Sequence, residues 1–221
     1  MLKKMEPGKV SSAEFFARSK ARLSFDVPPA LIDPNIIPRT GDAGNDRMLE
    51  IVAQEQPVRP AAVLIPVVDH PEPTVLLTQR SEHLSSHAGQ ISFPGGKIDS
   101  TDATPMDAAL REAHEEVGLA PSLTSPLGFL DPFVTITGFH VFPVVAQISL
   151  EYVPLLDPGE VAEAFEVPLD FLLDPANERR TEVEYLGRMR PLIEFGYRHY
   201  RIWGATAAML VNFRERLESA G

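Results

Sequence analysis

The chain has 221 residues, a formal net charge of −11, 44% apolar residues and no cysteine. The lack of cysteine excludes disulfides, zinc thiolates and thiol nucleophiles. The acidic balance argues against a nucleic-acid partner, because no basic stripe is present to neutralise phosphates. No apolar run approaches the roughly 20 residues needed to cross a bilayer, and residues 1–10 carry no signal peptide, so we expect a cytoplasmic protein that does not bind membranes.

The N-terminal part of the chain is predicted to be an appendage. Residues 11–14, Ser-Ser-Ala-Glu, have the pattern of a capping box, which indicates a helix that ends near Leu23. The segment 27–46 is rich in proline and other helix breakers, which is typical of a surface linker or a flexible arm. We therefore assign residues 1–48 to an N-terminal helix and proline-rich arm, and residues 49–221 to one folded domain.

The middle of the chain predicts two strands followed by a well-marked helix. Residues 62–68 and 74–78 are apolar and β-branched runs of the length of strands. Thr104 is a suitable N-cap, and Pro105 fits the first helical position. Gly118 can adopt the left-handed conformation that ends a helix. We therefore predict a helix that begins at Pro105 and ends just before Gly118.

The C-terminal half is predicted to add strands and a final helix. Pro143 places its strand at a sheet edge or a bulge, because proline cannot donate a ladder hydrogen bond. Ile202 and Trp203 are expected in the core. Mixed strands with helices in the middle and at the end fit an α/β/α sandwich with a mixed central sheet. The predicted strands are residues 127–130, 141–149, 181–195 and 200–203, and the predicted helices are 160–165, of one or two turns, and 205–217.

Three carboxylates mark the middle helix as a candidate metal site. Glu112, Glu115 and Glu116 fall at relative positions 0, 3 and 4, which places them on one face of a helix. Like charges so close together repel each other, and a hard divalent cation such as Mg²⁺ or Mn²⁺ removes that penalty. A solvated acidic face is the alternative interpretation.

A glycine pair precedes this helix. Pro94 fixes a turn, and Gly95 and Gly96 let the backbone approach a ligand or an ion closely. We therefore expect Gly95 to lie against the substrate, and a backbone carbonyl of the pair to be available as a further metal ligand.

Together these residues resemble the Nudix box, G-x5-E-x7-R-E-U-x-E-E-x-G-U. Gly96 supplies its first position, and Arg111 to Leu119 supply its second half. Asp102 stands where the box has its first glutamate, and the loop from Asp102 to Arg111 is one residue longer than in the general pattern. The resemblance implies a Nudix-type α/β/α sandwich, a hydrolase that acts on diphosphates, and Mg²⁺ or Mn²⁺ as cofactor.

A second stretch resembles the signature of coenzyme A pyrophosphatases, L-L-T-x-R-S-x3-R-x3-G-x-[VI]-x-F-P-G-G. Residues 76–81 and 87–96 match it, whereas Ser85 stands at its second arginine. The resemblance implies a small-molecule nucleotide substrate, coenzyme A or its esters, and a possible homodimer, since dimers are frequent in the family.

The resemblance also implies residue roles. Glu112, Glu115 and Glu116 are the expected metal ligands, joined by the carbonyl of Gly96. Arg111 is expected to orient a glutamate by ion pairing.

The proton acceptor and the substrate contacts stay open at this point. The general base is either Glu112 itself or an acid of the later loop, Glu160 or Glu163, for which an exposed acidic turn is an equal alternative. Arg80 lies near the end of a strand and is expected to bind phosphate, with a structural ion pair as the alternative. His87 is a candidate substrate contact or, equally, a hydrogen-bonding anchor beside a tight loop.

Three functions are compatible with these patterns. The first is metal-dependent hydrolysis of coenzyme A or acyl-coenzyme A to 3′,5′-ADP and the matching 4′-phosphopantetheine. The second is the same chemistry on another nucleoside diphosphate derivative, such as ADP-ribose or NADH. The third is a non-catalytic Nudix module that senses a nucleotide, and the crowded glutamates argue against it.

Overall fold

The computed structural model describes residues 11–29, 59–84, 87–135, 137–185 and 188–219. Within them, a mixed eight-stranded sheet is covered by helices on both faces, and a smaller three-stranded sheet lies beside it. No helix of this part of the chain has the length and apolar character that a membrane span needs.

The elements alternate along the chain much as the sequence predicts. The helices are α1 (Ser12–Arg22), α2 (Pro105–Val117), α3 (Leu169–Leu173) and α4 (Ala205–Glu218). The strands are β1 (Arg59–Val68), β2 (Thr74–Arg80), β3 (Ile91–Ser92), β4 (Gly95–Lys97), β5 (Thr124–Phe129), β6 (Phe133–Val134), β7 (Phe139–Ile148), β8 (Val161–Pro168), β9 (Glu178–Tyr185), β10 (Arg188–Tyr197) and β11 (Tyr200–Trp203).

Strand β1 is the centre of the large sheet. It pairs in parallel with β7 over its whole length, from Arg59 opposite Phe139 to Val68 opposite Ile148. On its other side it pairs antiparallel with β2 and with β4. The main path of the sheet is β3-β2-β1-β7-β5, with β8 added antiparallel to β2. The sheet is therefore mixed, as predicted.

Two apolar clusters make the sandwich, one on each face of the large sheet. On one face, the small residues Ala109 and Ala113 of α2 pack with Leu64 of β1. On the other face, α1, α4 and the small sheet pack together, with Phe15 of α1 edge-on to Phe213 of α4 at 5.8 Å between ring centroids. The predicted α/β/α architecture is confirmed.

The caps of α2 explain where it begins and ends. The Thr104 side chain accepts the backbone N–H of Asp107 at 3.2 Å, and Pro105 occupies the first turn. At the other end Gly118 has φ 71°, in the left-handed region, and its N–H bonds back to the helix. Ser11 caps α1 in the same way through Glu14. Both helices follow the prediction from their capping residues.

Three expectations need correction. Residues 160–165 are not helical: after Glu160 the chain enters β8, because pairing with β2 outweighs the helix preference of an Ala/Glu-rich run. The segment 181–195 is not one strand, since β9 and β10 form an antiparallel hairpin there.

The third correction concerns Pro143, which does not lie on an edge strand. Strand β7 has β1 on one side and β5 and β6 on the other. Strand β5 pairs with β7 up to Val144, and β6 pairs with it from Val141. Pro143 faces the gap between them, where its carbonyl accepts the Leu130 N–H at 3.0 Å. The gap makes the missing proline N–H harmless.

Candidate active site

The three glutamates of α2 lie along one flank of the helix but differ in burial. The exposed fraction of the side chain is 3% for Glu116, 16% for Glu112 and 58% for Glu115. Glu116 and Glu112 face the glycine pair of β4, whereas Glu115 lies at the rim. The structure therefore divides the predicted triad into an inner pair and an outer member.

Glu116 is a buried carboxylate with little compensating charge. One of its oxygens accepts the N–H of Gly95 at 3.2 Å, and Arg80 approaches the other at 3.6 Å. Burial raises the pKa of Glu116 to about 8, and repulsion from Glu160 and Glu112 adds to the rise, while Gly95 and Arg80 oppose it. The environment favours a neutral acid unless more positive charge arrives.

The glycine pair is required by two close approaches. A Cβ on Gly96 would lie 2.5 Å from Cδ of Glu112, and a Cβ on Gly95 would lie 2.6 Å from Cα of Val63. Both are distances that real Cβ atoms do not reach. Glycine therefore allows the Glu112 carboxylate to rest against the backbone of β4 and allows β4 to press onto β1.

Arg111 is the hub of an ion-pair network. Its Nε and Nη2 donate to Asp102 at 3.1 and 2.9 Å, and Nη1 donates to Glu112 at 2.9 Å and to Glu115 at 3.1 Å. A further bond from Nη2 reaches the Lys97 carbonyl at 3.1 Å. Such a fork holds both the glycine loop and two glutamates of α2 in place.

The sequence left the role of Asp102 undefined. Its hydrogen bonds from Arg111 lower the pKa of Asp102, and its oxygen also accepts the Asp99 N–H at 2.8 Å. The same ion pair raises the pKa of Arg111. Asp102 thus anchors Arg111, even though the loop between them is one residue longer than in the general box. The one sequence feature that pointed to Asp102 was its place at the first acidic position of the box.

The inner pair of glutamates is coupled electrostatically. Burial raises the pKa of Glu112, repulsion from Glu115 and Glu160 adds to it, and the bond from Arg111 opposes it. Glu160 is therefore close enough to disturb both Glu112 and Glu116.

Glu160 and Glu163 have different hydrogen-bond partners. The Glu160 carbonyl accepts the Ser81 N–H at 2.8 Å, which fixes it beside the end of β2. Glu163 accepts the Tyr200 hydroxyl at 2.7 Å, on the face where Phe165 stacks on Tyr200. The structure brings Glu160 to the α2 glutamates and leaves Glu163 apart from them.

The loop that ends at Glu160 is tied to the C-terminal end of α2. The buried Tyr152 hydroxyl donates to the Val117 carbonyl at 2.8 Å, and the Asp157 N–H donates to the Glu116 carbonyl at 2.9 Å. The Glu160 N–H in turn donates to the Asp157 carbonyl at 3.1 Å. These bonds fix the loop directly to the helix that carries the glutamates.

A cavity of about 970 Å³ opens beside these groups. His87, at φ 59°, lies at its edge with Nδ1 2.9 Å from Oε1 of Gln90, which is the geometry of an anchor. Trp203 was expected in the core but is only half-buried and lines the cavity, whereas Ile202 is buried as expected. The predicted site residues that line the cavity are Arg80, His87, Gly95, Gly96, Glu112 and Glu160.

The donor set fits a hard divalent cation. Within the described residues, no three His, Cys, Asp or Glu side chains are grouped closely enough to hold a metal as they stand. However, Glu112 and Glu116 face the same glycine pair, with Glu160 near; burial raises the pKa of both, and repulsion among the carboxylates adds to the rise. Carboxylate oxygens in that setting are the ligands that Mg²⁺ and Mn²⁺ prefer.

Comparison with known proteins decides the family. A family model described as NUDIX domain matches residues 58–186, more than half of the chain. The chain belongs to the Nudix family. It is similar to proteins of Salmonella paratyphi B and Salmonella newport, each named "Uncharacterized Nudix hydrolase NudL", with 45% identity over 152 residues, 69% of this chain and 79% of each relative.

A solved structure shows the same fold. The Nudix hydrolase RenU from M. smegmatis aligns with a TM-score of 0.50 and 22% identity, over 72% of this chain and 86% of that one. Membership of the Nudix family, shown by the family model and the NudL relatives, supports hydrolysis of the diphosphate bond of a nucleoside diphosphate derivative. Enzymes of this family generally use divalent metal ions such as Mg²⁺ or Mn²⁺.

Proposed function

We propose that this Nudix hydrolase cleaves the diphosphate bond of coenzyme A or its acyl esters, with Mg²⁺ or Mn²⁺ as cofactor. The products are 3′,5′-ADP and the matching 4′-phosphopantetheine. One observation carries the proposal: residues at and after the end of β2, within the stretches 76–81 and 87–96 that resemble the coenzyme A pyrophosphatase signature, line the cavity together with Glu112 of α2.

The residue roles in the proposal follow from position and charge. Glu112 and Glu116 would hold the cation with the carbonyl of Gly96, and Glu115 would complete the site from the rim. When bound, the cation supplies positive charge that neutralises the diphosphate oxygens and activates water. Arg111 fixes the orientation of Glu112 through its bond of 2.9 Å.

Glu160 is the proposed general base. Its side chain is exposed, it lines the cavity, and its backbone is fixed by Ser81 and Asp157. Glu112, in contrast, is held by Arg111 and pressed against Gly96. A water oxygen bonds to phosphorus as the bridging P–O bond breaks, the water proton passes to Glu160, and the leaving phosphate departs as an anion.

Arg80 is the proposed phosphate contact at the end of β2. Its guanidinium is one-quarter exposed, lines the cavity and lies beside Glu116, so it can bridge a substrate oxygen and the inner carboxylate pair. The Gly95 N–H already donates to Glu116, so we do not assign it as a hydrogen-bond donor to the substrate. Its proposed contribution is that the lack of a side chain lets the substrate pack closely against the backbone.

A substrate panel tests the proposal. We expect kcat/KM for coenzyme A or acetyl-coenzyme A with Mg²⁺ or Mn²⁺ to exceed that for ADP-ribose and NADH by about tenfold or more, because remote groups of a substrate contribute through transition-state binding. Mass spectrometry should identify 3′,5′-ADP as a product. A tenfold preference for ADP-ribose would refute the coenzyme A assignment and leave the reaction class intact.

Two further expectations stay predictions: the homodimer that the resemblance implies, and the cytoplasmic location expected from the lack of a membrane-spanning run or signal peptide. Light scattering on the purified chain measures the first.

A further inference from the structure

The cavity has two walls of different chemistry. The wall described above carries the carboxylates and the glycine pair. The opposite wall comes from the small sheet and the start of α4, and it is mainly apolar, with Leu192, Ile193, Trp203 and Met209 among its residues. That wall also contains a charged residue, Arg190 of β10, which is only 8% exposed to solvent.

The other cations of the cavity have positions at the diphosphate end. Arg80 lies 3.6 Å from Glu116. Lys97 is exposed and adjoins Gly96 at the end of β4. Arg111 is not among the lining residues and is held by Asp102 and the glutamates. Arg190 is the cavity-lining arginine of the small sheet, so a second anionic group of the substrate that extends toward that sheet would meet it.

A guanidinium in an apolar wall is well suited to a phosphate monoester. Its planar fork can donate two parallel bonds to phosphate oxygens, its charge is permanent, and a low local dielectric strengthens such bonds. Apolar neighbours such as Leu192 and Trp203 limit the water that would compete for them.

We propose that Arg190 forms a subsite for a phosphate monoester on the wall of the cavity opposite the α2 glutamates. The inference rests on the proposed function, because coenzyme A carries such a group at its ribose 3′ position, separate from the diphosphate. Ser85, which stands at the second arginine of the family signature, lies outside the described part of the chain.

The test compares ligands that differ only in the 3′-phosphate. We expect Arg190→Gln to raise KM for coenzyme A about tenfold and to leave KM for dephospho-coenzyme A within twofold, as loss of a charged hydrogen bond implies. Arg179→Gln is the matched control: it removes an exposed arginine of the small sheet that does not line the cavity, and it should change neither constant. Equal changes on both substrates, or no change, would overturn the subsite.

Product inhibition separates this inference from the proposed function. Inhibition by 3′,5′-ADP and by 5′-AMP is measured against whichever diphosphate the enzyme turns over, ADP-ribose included. Arg190→Gln should raise the inhibition constant of 3′,5′-ADP about tenfold and leave that of 5′-AMP unchanged. If coenzyme A is not a substrate but this difference persists, the proposed function fails and the subsite stands; if the difference is absent, the subsite fails.

A conservative variant covers the case in which Arg190→Gln does not fold, as judged by its melting curve. Arg190→Lys keeps the charge and loses the fork, so the preference for 3′,5′-ADP over 5′-AMP should fall at least threefold. An unchanged preference in Arg190→Lys would count against a bidentate phosphate contact.

Discussion

Two buried glutamates, Glu116 in the active site and Glu178 in the small sheet, meet opposite electrostatic environments. Glu178 accepts Arg214 at 2.7 Å and Arg180 at 2.6 Å. Burial alone would raise the pKa of Glu178, but the two arginines outweigh it and lower the pKa. Burial raises the pKa of Glu116 to about 8, because the single arginine at 3.6 Å does not offset it and two further carboxylates add to the rise.

The comparison distinguishes a glutamate whose charge stabilises the fold, Glu178, from one whose charge we assign to the reaction, Glu116. Glu178 joins β9 to α4 through Arg214, and its charge is fully matched by chain residues. Within the described residues, no comparable pair of arginines balances the charge of Glu116. The Gly95 N–H and Arg80 hold its carboxylate in place. A glutamate that the fold holds where its charge is poorly compensated indicates a ligand that supplies the missing charge. We propose that this ligand is a cation.

The first way to sharpen the comparison is Glu178→Gln. We expect the free energy of unfolding to fall by about 3 kcal/mol, because the change leaves Arg214, also buried, without a charged partner. Urea unfolding at pH 7 measures it, and kcat/KM of the folded variant should stay within twofold.

Glu194→Gln is the control for this variant. Glu194 pairs with Arg201, which is 61% exposed, so the loss should remain below about 1 kcal/mol. Equal losses in the two variants would mean that burial of the Glu178 pair contributes nothing to stability.

The second test is Glu116→Gln, which should give the opposite outcome. We expect kcat to fall by about 10²–10³ with saturating Mg²⁺, as removal of a charge that stabilises the transition state implies. In EDTA at pH 8 the variant should be at least as stable as the parent chain, because a neutral amide avoids the burial of a repelled carboxylate. Near-normal turnover would remove Glu116 from the metal site.

Local signals were enough to predict α2, whereas tertiary contacts decided the rest of the site. Thr104, Pro105 and Gly118 act within one turn of the chain, so the bounds of the helix follow from the sequence. Asp102 anchors Arg111 through a hydrogen bond. The sequence did not reveal this contact, because the loop between the two residues is one residue longer than in the Nudix box.

The strand β8 shows why the later acids could not be ranked. Its Ala/Glu-rich start favours a helix locally, and its partner β2 is distant in sequence. In the folded chain Glu163 accepts the Tyr200 hydroxyl of the small sheet, a contact between segments that are distant in sequence. Trp203 was misplaced for a similar reason, since an apolar residue that lines a cavity has the same pattern as one in the core.

The third test compares these two acids. Glu160→Gln should lower kcat about 10²-fold, the effect of losing a general base, while Glu163→Gln should stay within threefold because Glu163 does not line the cavity and is held by Tyr200. Both variants remove one charge from the same short segment, so net charge is controlled. If Glu163→Gln has the larger effect, the assignment of the base is wrong.

The last test is a pH dependence of stability that distinguishes the two buried acids. Between its ordinary pKa of 4.5 and the raised value of about 8, folded Glu116 holds a proton that the unfolded chain has released. The free energy of unfolding of the metal-free protein therefore falls as pH rises from about 5 to 8, by at most about 1.4 kcal/mol per pH unit. Glu178 behaves in the opposite sense: its contribution is present at neutral pH and is lost as pH falls below its ordinary range.

Melting curves measure the contribution of Glu116 to this pH dependence. They are recorded in EDTA at several pH values for the parent chain and for Glu116→Gln. The parent should lose stability relative to the variant as pH rises, and excess Mg²⁺ should abolish that loss, because the cation takes the place of the proton. Identical slopes in EDTA would contradict the raised pKa of Glu116. A slope that survives saturating Mg²⁺ would place the cation away from this carboxylate, and the contrast with Glu178 would then have no functional meaning.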